Sequence, residues 1–402
     1  MKRTMRFLVT SAVLIAAGIC FRPMPLHAQE KPAGRLAVSV LYIQQQPDRP
    51  PVLSNIVTWP EDEGLQGARL AIADNNTTGK FLNQDHMLAE TLVEPGGDVV
   101  AAARAVLDGG PKLAVLNVPG DRLKEIAALP EAADDLLFNA GSADDDLRDA
   151  ACMANVLHTL PSRAMLSDAL MQFLAKRQWR SLFLIAGNRP GDLLFAEALR
   201  RSARKFGLSI DHEKQWIEDA DMRRNASAEV PVFTQARNYD AVIVADEDHD
   251  FGQYVMYNTW LPRPVAGSAG IVATAWDRVV EQWGAAQLQS RFEAQAKRGM
   301  MAGDYAAWAA IRSIGEAATR ARTAEPAAVR GFILSDQFSL AAFKGAKMTY
   351  RGWDGQLRQP IALIHPQAVV ATAPVEGFLH RVTELDTLGL DEPESKCTAF
   401  KE

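Results

Sequence analysis

The chain has 402 residues, is 48% hydrophobic and 23% charged, and carries a net charge of -6. That length exceeds one ordinary core and predicts two domains of about 150 residues or more. The acidic balance, without any basic run, argues against nucleic acid and anionic membrane surfaces as partners, while leaving room for a small anion held by a few arginines or helix N-termini.

The first segment reads as an address rather than as fold. Lys2, Arg3 and Arg6 precede an apolar run from Phe7 to Cys20 that is too short to span a bilayer, and Pro23, Pro25 and Ala28 follow. This is the pattern of a cleaved secretory signal over residues 1–28, with processing at Ala28-Gln29. Bulky Ile19 and Phe21 beside Cys20 disfavour a lipid anchor. Removing Lys2, Arg3, Arg6 and Arg22, four positive charges and no acids, takes the net charge from -6 to -10. An exported product that is not inserted in the membrane is expected. In an oxidising compartment Cys152 and Cys397 are expected to pair, with two unrelated thiols as the alternative. Two cysteines without a CxxC make no zinc site.

Beyond residue 34, short apolar runs alternate with helical patterns. "RLAVSVLY" (35–42), "KLAVLNV" (112–118), "DLLFNA" (135–140), "SLFLIAG" (181–187) and "YDAVIVA" (239–245) are strand candidates. Several are apolar at successive positions, as strands covered on both faces are. After the first strand comes "EDEGLQGARLAIADNNTTGKFLNQ" (61–84), in which Leu65, Ala68 and Ile72 face a core and Asn75 to Gly79 end the helix and turn the chain. Leu166, Leu170, Phe173 and Leu174 share one face of a helix beginning at Ser162; Phe195, Leu199 and Phe206 share another, which Gly207 ends. The rhythm runs twice, from 35 to about 150 and from about 162 to 270, and predicts α/β architecture with two parallel-sheet, Rossmann-like lobes. A helical region (277–322) and two strands around a turn at Asp354-Gly355 (347–366) complete the pattern, and the tail after 371 reads as irregular.

Catalytic motifs are missing: there is no HExxH, no GxSxG and no P-loop. "DEDHD" (246–250) follows a strand but lacks the glycine turn and distal glutamate of a calcium loop, and reads as a solvated loop. "ADDDLRD" (143–149) reads the same way, with Asp144 to Asp146 favouring a helix start. No enzyme and no catalytic metal are expected.

The features suited to a ligand sit where strands give way to helices. Asn117, Pro119 and Gly120 occupy one such end, Asn139, Gly141 and Ser142 a second, and Asn188 and Arg189 a third. Glycine admits a ligand to the backbone, and helix N-termini favour an anion. Arg189 suits a bidentate pair with a ligand carboxylate, its alternative being a solvent-facing loop residue. Trp59 offers a flat ligand wall or packs its own loop. Trp276 lies where the chain returns between lobes, His158 lies at the reverse crossing with a hinge or core role as its alternative, and Trp353 reads as packing.

The order of these motifs resembles the type I periplasmic solute-binding proteins of the branched-chain amino-acid class, which feed ABC transporters. "GLQGARLAIADNNTTGKFLNQ" resembles their first helix, and "HTLPSRAMLSDALMQFLAKRQWRSLFLIAGNRPGD" the crossing into the second lobe. "DYAAWAAIRSIGEAATRA" and "AAVRGFILSDQF" resemble later helices, so the likeness covers most of the mature chain. Thr78-Gly79-Lys80 replaces the family's glycine pair and "NVPGD" its Ser/Thr-rich loop, departures that point away from a simple leucine-like ligand. The resemblance implies a receptor of two lobes joined by a multi-strand hinge: 35–157 with 272–335, 158–271 with 336–370, then a tail over 371–402.

A narrower resemblance begins at "FKGAKMTYRGWDGQLRQPIALIHP" and continues through "GFLHRVTELDTLGLDEPESKC". It is similar to the solute-binding subgroup associated with pyrroloquinoline quinone-dependent alcohol oxidation. That likeness implies pyrroloquinoline quinone as a bound ligand rather than a catalytic cofactor, and a monomeric receptor with an ABC permease as partner. The alternatives are an amino acid or an alcohol-derived carboxylate as ligand, or delivery of the cofactor to a quinoprotein alcohol dehydrogenase. By position, Trp59 falls in the family's first binding loop, Asn139 to Ser142 in its second, and Asn188-Arg189 in the first loop of the second lobe.

Overall fold

The computed structural model describes residues 34–48, 59–216 and 225–401; the expected signal segment 1–28, with Cys20, lies outside them. From Arg35 onward the chain forms one compact unit. The first lobe runs β1 (Leu36–Gln45), α1 (Leu65–Leu82), β2 (Gln84–Val93), α2 (Val99–Leu107), β3 (Leu113–Asn117), α3 (Gly120–Ala127), β4 (Leu136–Asn139) and β5 (Val156–His158). Its sheet has the order β2-β1-β3-β4-β5 and is parallel throughout. The second lobe runs α4 (Arg163–Lys176), β6 (Ser181–Ala186), α5 (Pro190–Lys205), β7 (Ser209–Gln215), α6 (Ala226–Phe233), β8 (Ala241–Ala245), α7 (Gly252–Val255) and β9 (Val265–Gly267). Its parallel sheet has the order β7-β6-β8-β9.

After β10 (Val272–Thr274) the chain returns to the first lobe as α8 (Ala285–Ala296), α9 (Ala302–Ala321) and α10 (Pro326–Ile333). The small pair β11 (Leu340–Ala341) and β12 (Lys347–Met348) follows, then β13 (Ile361–His365) and β14 (Ala368–Ala373), which form an antiparallel sheet with β10. The chain thus crosses between lobes at 158–163, at 268–277 and at 357–361. Gln359 donates to the carbonyl of Thr159 at 2.8 Å, and Gln356 to that of His158 at 3.3 Å, so the first and third crossings are braced side by side.

The packing places one boundary differently from the sequence reading. Phe338, Leu340, Ala342, Met348, Tyr350 and Leu357 belong to the first-lobe core, whereas Ile361, Leu363, Ala373 and Leu388 pack with α4 and the second sheet. The segment assigned to the second lobe from residue 336 therefore changes sides only near 357–361.

The helix α1 also runs further than its sequence suggests. Asn75 to Gly79 lie inside it, and it ends in left-handed Asn83. The polar residues are used rather than solvated: Asn75 donates to the Ile311 carbonyl at 3.0 Å, and Asn76 both accepts from the amide of His86 at 2.9 Å and donates to its carbonyl at 2.8 Å. Tertiary bonds hold helical a stretch whose side chains locally favour a turn. The strands β2 and β7 escape the apolar-run criterion because each is an edge strand with many exposed residues.

Near residue 354 the chain does turn, with an isolated antiparallel bridge between Tyr350 and Leu357, but the regular hairpin is β13–β14 with Pro366-Gln367 at its tip. Trp353 packs against the guanidinium groups of Arg351 and Arg358, each 5.2 Å from its ring. Cys152 and Cys397 are joined as a disulfide with their Cα atoms 5.6 Å apart.

Candidate functional site between the lobes

The loops that leave β4 and β8 meet across the lobes, and Arg163 is the residue between them. Ser162 caps α4 by accepting from the amide of Met165, which puts Arg163 at the first helical position. A cation is disfavoured there by the helix dipole. Its partners supply the reason. The guanidinium donates twice to Glu247 at 2.7 Å, and its remaining arm pairs with Asp144. Asp144 belongs to the loop after β4 and Glu247 to the loop after β8, so one side chain at the hinge ties both lobes. Burial pushes the Glu247 carboxyl up from its ordinary range, an effect that Arg163 opposes.

A second contact spans the lobes beside this one. The Trp59 ring, on the approach to α1, lies 5.1 Å from the ring of His249 and tilted by 42°. His249 has a left-handed backbone, with φ of 53°, which the tight turn of the 246–250 loop imposes. Asp246 builds that turn: it is buried, and its carboxylate accepts from the amides of Asp250, Phe251 and Gly252. The "DEDHD" stretch is therefore an organised interlobe element and not the solvated loop expected from its composition. "ADDDLRD" does start a helix as expected, a single 3-10 turn over Asp145–Arg148 behind Asp144, but it is no solvated loop, since Asp144 holds Arg163 and Asp145 accepts from the amide of Ala164 at 2.8 Å.

Arg189 sits at the N-cap of α5, again a cation at a helix start, and donates to Asp248 at 2.9 Å. Asn188 beside it is exposed. Asp192, one turn into α5, accepts from the amide of Glu247 at 2.7 Å and from that of Arg189 at 3.3 Å, locking the two second-lobe loops together. Burial raises its pKa to about 6.

On the first lobe the expected residues form a finished structure. Asn139 is fully buried; its oxygen accepts from the amides of Gly141 and Ser142, while its amide donates to the Ser142 carbonyl and meets Nδ1 of His158 at 3.0 Å. A Cβ on Gly141 would stand 2.6 Å from the amide nitrogen of Val118, so only glycine lets the two strand-end loops touch. Ser142 turns its hydroxyl toward the amide of Asp144, and Asn117 donates to Tyr42 and to the Glu63 carbonyl. His158 is buried, and burial together with Arg148 holds its pKa well below the usual imidazole value, so it is a neutral hinge residue. Trp276 is buried too, stacked on Tyr305 at 4.7 Å with its indole N–H given to Gln289.

The structure thus brings Trp59, Arg189 and the Asn139–Ser142 loop toward the interlobe region and sets His158 and Trp276 into hinge and core. It adds Asp144, Arg163, Glu247 and His249, which the sequence reading missed. The signal available was electrostatic: two arginines at helix N-termini and five polar residues running after one strand each demand a partner. Charge pairing at this site is nearly all internal, Arg163 and Arg189 each facing carboxylates of the same chain. Among the described residues no helix is long and apolar enough to cross a membrane, and no cluster of three or more His, Cys, Asp or Glu side chains is placed to hold a metal.

No protein-family model matches the chain, and no curated protein does. Solved structures do. A branched-chain amino-acid ABC transporter periplasmic ligand-binding protein from Burkholderia xenovorans superposes with a TM-score of 0.68 at 16% identity, covering 91% of this chain and 100% of its own. A periplasmic binding protein from Burkholderia mallei gives 0.64 at 15% identity, covering 92% and 100%. An ABC transporter solute-binding protein from R. palustris, solved with benzoate, gives 0.61 at 11% identity, covering 91% and 100%. At such identities the likeness establishes architecture: the chain has the two-lobe fold of type I periplasmic binding proteins.

Proposed function

We propose that the chain is a periplasmic solute receptor that closes two lobes over a small molecule and presents the closed form to an ABC permease. The observation that carries this reading is the meeting of strand-end loops from two separate parallel sheets, through Trp59 with His249 and through Asp144, Arg163 and Glu247. Strand-end crevices are where open α/β sheets bind ligands, and a ligand touching both loops favours the closed form by its differential affinity.

Pyrroloquinoline quinone is the first solute to test. Its support is the C-terminal resemblance and the flat Trp59 ring; its three carboxylates would draw Arg163 and Arg189 away from Asp144, Glu247 and Asp248. The second reading is a smaller planar or amino-acid carboxylate, favoured by the dense internal pairing of those arginines, which leaves less positive charge for a triacid. Delivery to a quinoprotein alcohol dehydrogenase is the remaining alternative to uptake. Calorimetric titration of the protein with the quinone, with leucine and with benzoate, followed by small-angle scattering of each mixture, tests the receptor reading. Saturable binding with a fall in radius of gyration is the expected result. Tight binding of leucine and none of the quinone overturns the ligand, and binding of any solute without compaction overturns cleft closure.

A further inference from the structure

A cavity lies away from the interlobe loops, at the flank of the hinge. Its volume is about 600 Å³, within the range that holds a small molecule. The segment after β10, one face of α8, Lys344, the third crossing at Pro360 and the β13–β14 hairpin all line it. None of the residues assigned above to the strand-end loops takes part.

Two features of this cavity are unusual. Lys344 is 7% exposed, and its ammonium donates only to neutral acceptors, Gln359 Oε1 at 2.7 Å and the Pro360 carbonyl at 2.9 Å, while lying 4.7 Å from the Tyr305 ring. Among the described residues no carboxylate pairs with it, and burial alone pulls its pKa far below that of an ordinary amine. Such an amine sheds its proton more readily than an exposed one unless a counter-charge holds the proton in place.

The other feature is Trp283, an indole that is 52% exposed on a left-handed backbone with φ of 56° and ψ of 29°. Bulky residues rarely adopt that conformation, and such strain concentrates at ligand clamps. The ring is held flat over Gly345, where a Cβ would come within 2.5 Å of it, so the glycine makes room for the wall.

We infer that this cavity is a second binding site, for a planar aromatic carboxylate whose ring lies along Trp283 and whose anion reaches the buried ammonium of Lys344. Glu281 and Glu293 also line the cavity, with Arg278 beside them, and they disfavour a ligand carrying several negative charges. A monocarboxylate fits that balance. Because the occupant would touch Pro360 in the third crossing and Trp276 just beyond β10, it would bias the angle between the lobes and act as an effector of the main site.

Benzoate is the simplest probe, with benzamidine as the same ring carrying the opposite charge. Titration of the chain followed by calorimetry and tryptophan fluorescence should show benzoate binding that Lys344→Met and Trp283→Leu each weaken by at least about tenfold, the scale of one charge-assisted hydrogen bond. Arg163→Met, which alters the interlobe contact and the lobe angle but no residue of the cavity wall, should change that binding by less than the cavity variants do. Ala368→Trp, a surface substitution at the cavity wall, should block it without touching the buried lysine, and serves if Lys344→Met fails to fold. No benzoate binding, equal binding by the lysine and tryptophan variants, loss in Arg163→Met instead, or preference for benzamidine would each overturn the inference. The receptor reading fails separately, if no solute compacts the native chain in scattering.

Discussion

The loop after β4 and the loop after β8 face each other, yet they are built on opposite terms. In the first, Asn139 satisfies two amides, a carbonyl and a histidine ring within its own lobe, and Gly141 presses directly on the neighbouring strand end. In the second, Asp246 fixes the turn, but Glu247, Asp248 and His249 spend their side chains on Arg163, Arg189 and Trp59. The first loop is a platform finished before any ligand or lobe arrives. The second is a set of exchangeable contacts, and only such contacts can be released when lobes part or a solute competes. Burial of neutral, mutually bonded groups gives rigidity, whereas charge pairs at a partly wet boundary give a modest, switchable gain.

Removing the platform should produce the largest effect. Asn139→Ala leaves the amides of Gly141 and Ser142 unsatisfied, while the Ser142 carbonyl keeps its bond from Arg148, and is expected to cost on the order of 3 kcal/mol in urea unfolding. A loss below about 1 kcal/mol would show that water replaces the side chain and that the loop is less closed than described.

Breaking the exchangeable side should cost less in stability and more in shape. Arg163→Met strands Asp144 and Glu247 at the lobe boundary, for about 2 kcal/mol, because both acids keep some access to solvent. Scattering should report a larger radius of gyration for the variant without ligand. An unchanged radius would mean that the lobes stay together without this residue.

The acid response separates the loops further. The Asp192 pKa is raised from 3.8 to about 6 by burial, so the folded chain holds this proton more tightly than the unfolded chain. Its contribution to stability is therefore greatest at low pH and falls as pH rises from about 4 to about 6, by on the order of 3 kcal/mol, after which it is constant. Asp192→Asn should flatten that part of the stability profile; a profile identical to that of the native chain would assign the pH dependence elsewhere. The smallest stability change is expected for Trp59→Ala, about 1 kcal/mol or less for one tilted ring contact. Its larger consequence should be on solute affinity in the same calorimetric titration, and unchanged affinity would remove Trp59 from the site.

How legible this was in the sequence depends on whether a residue answers to its neighbours in sequence or to distant ones. Strands β3, β4, β6 and β8 are buried on both faces and announce themselves as unbroken apolar runs. Edge strands β2 and β7 do not, because half their side chains face water. The extension of α1 through Asn75 and Asn76 was hidden because its cause lies in Ile311 and His86, far along the chain or across a turn. The site divided in the same way. Strand-end positions such as Asn139 and Arg189 follow from the alternation of strands and helices, while Arg163 and Glu247, 84 residues apart, acquire meaning only together.

The cystine between Cys152 and Cys397 changes how this hinge must be counted. After β14 the tail lies along the second lobe, where Gly389 donates to Asp168 and Leu388 enters the core. It then returns to the first lobe, where Ser395 donates to the Arg148 carbonyl and Phe400 lies 5.3 Å from the guanidinium of Arg330. With its end bonded to Cys152, the tail becomes a fourth strap between the lobes beside the three backbone crossings, closing a covalent loop of 245 residues in sequence separation. Reduction would leave that strap held by hydrogen bonds and packing alone, which removes the one covalent limit on how far its two ends can part.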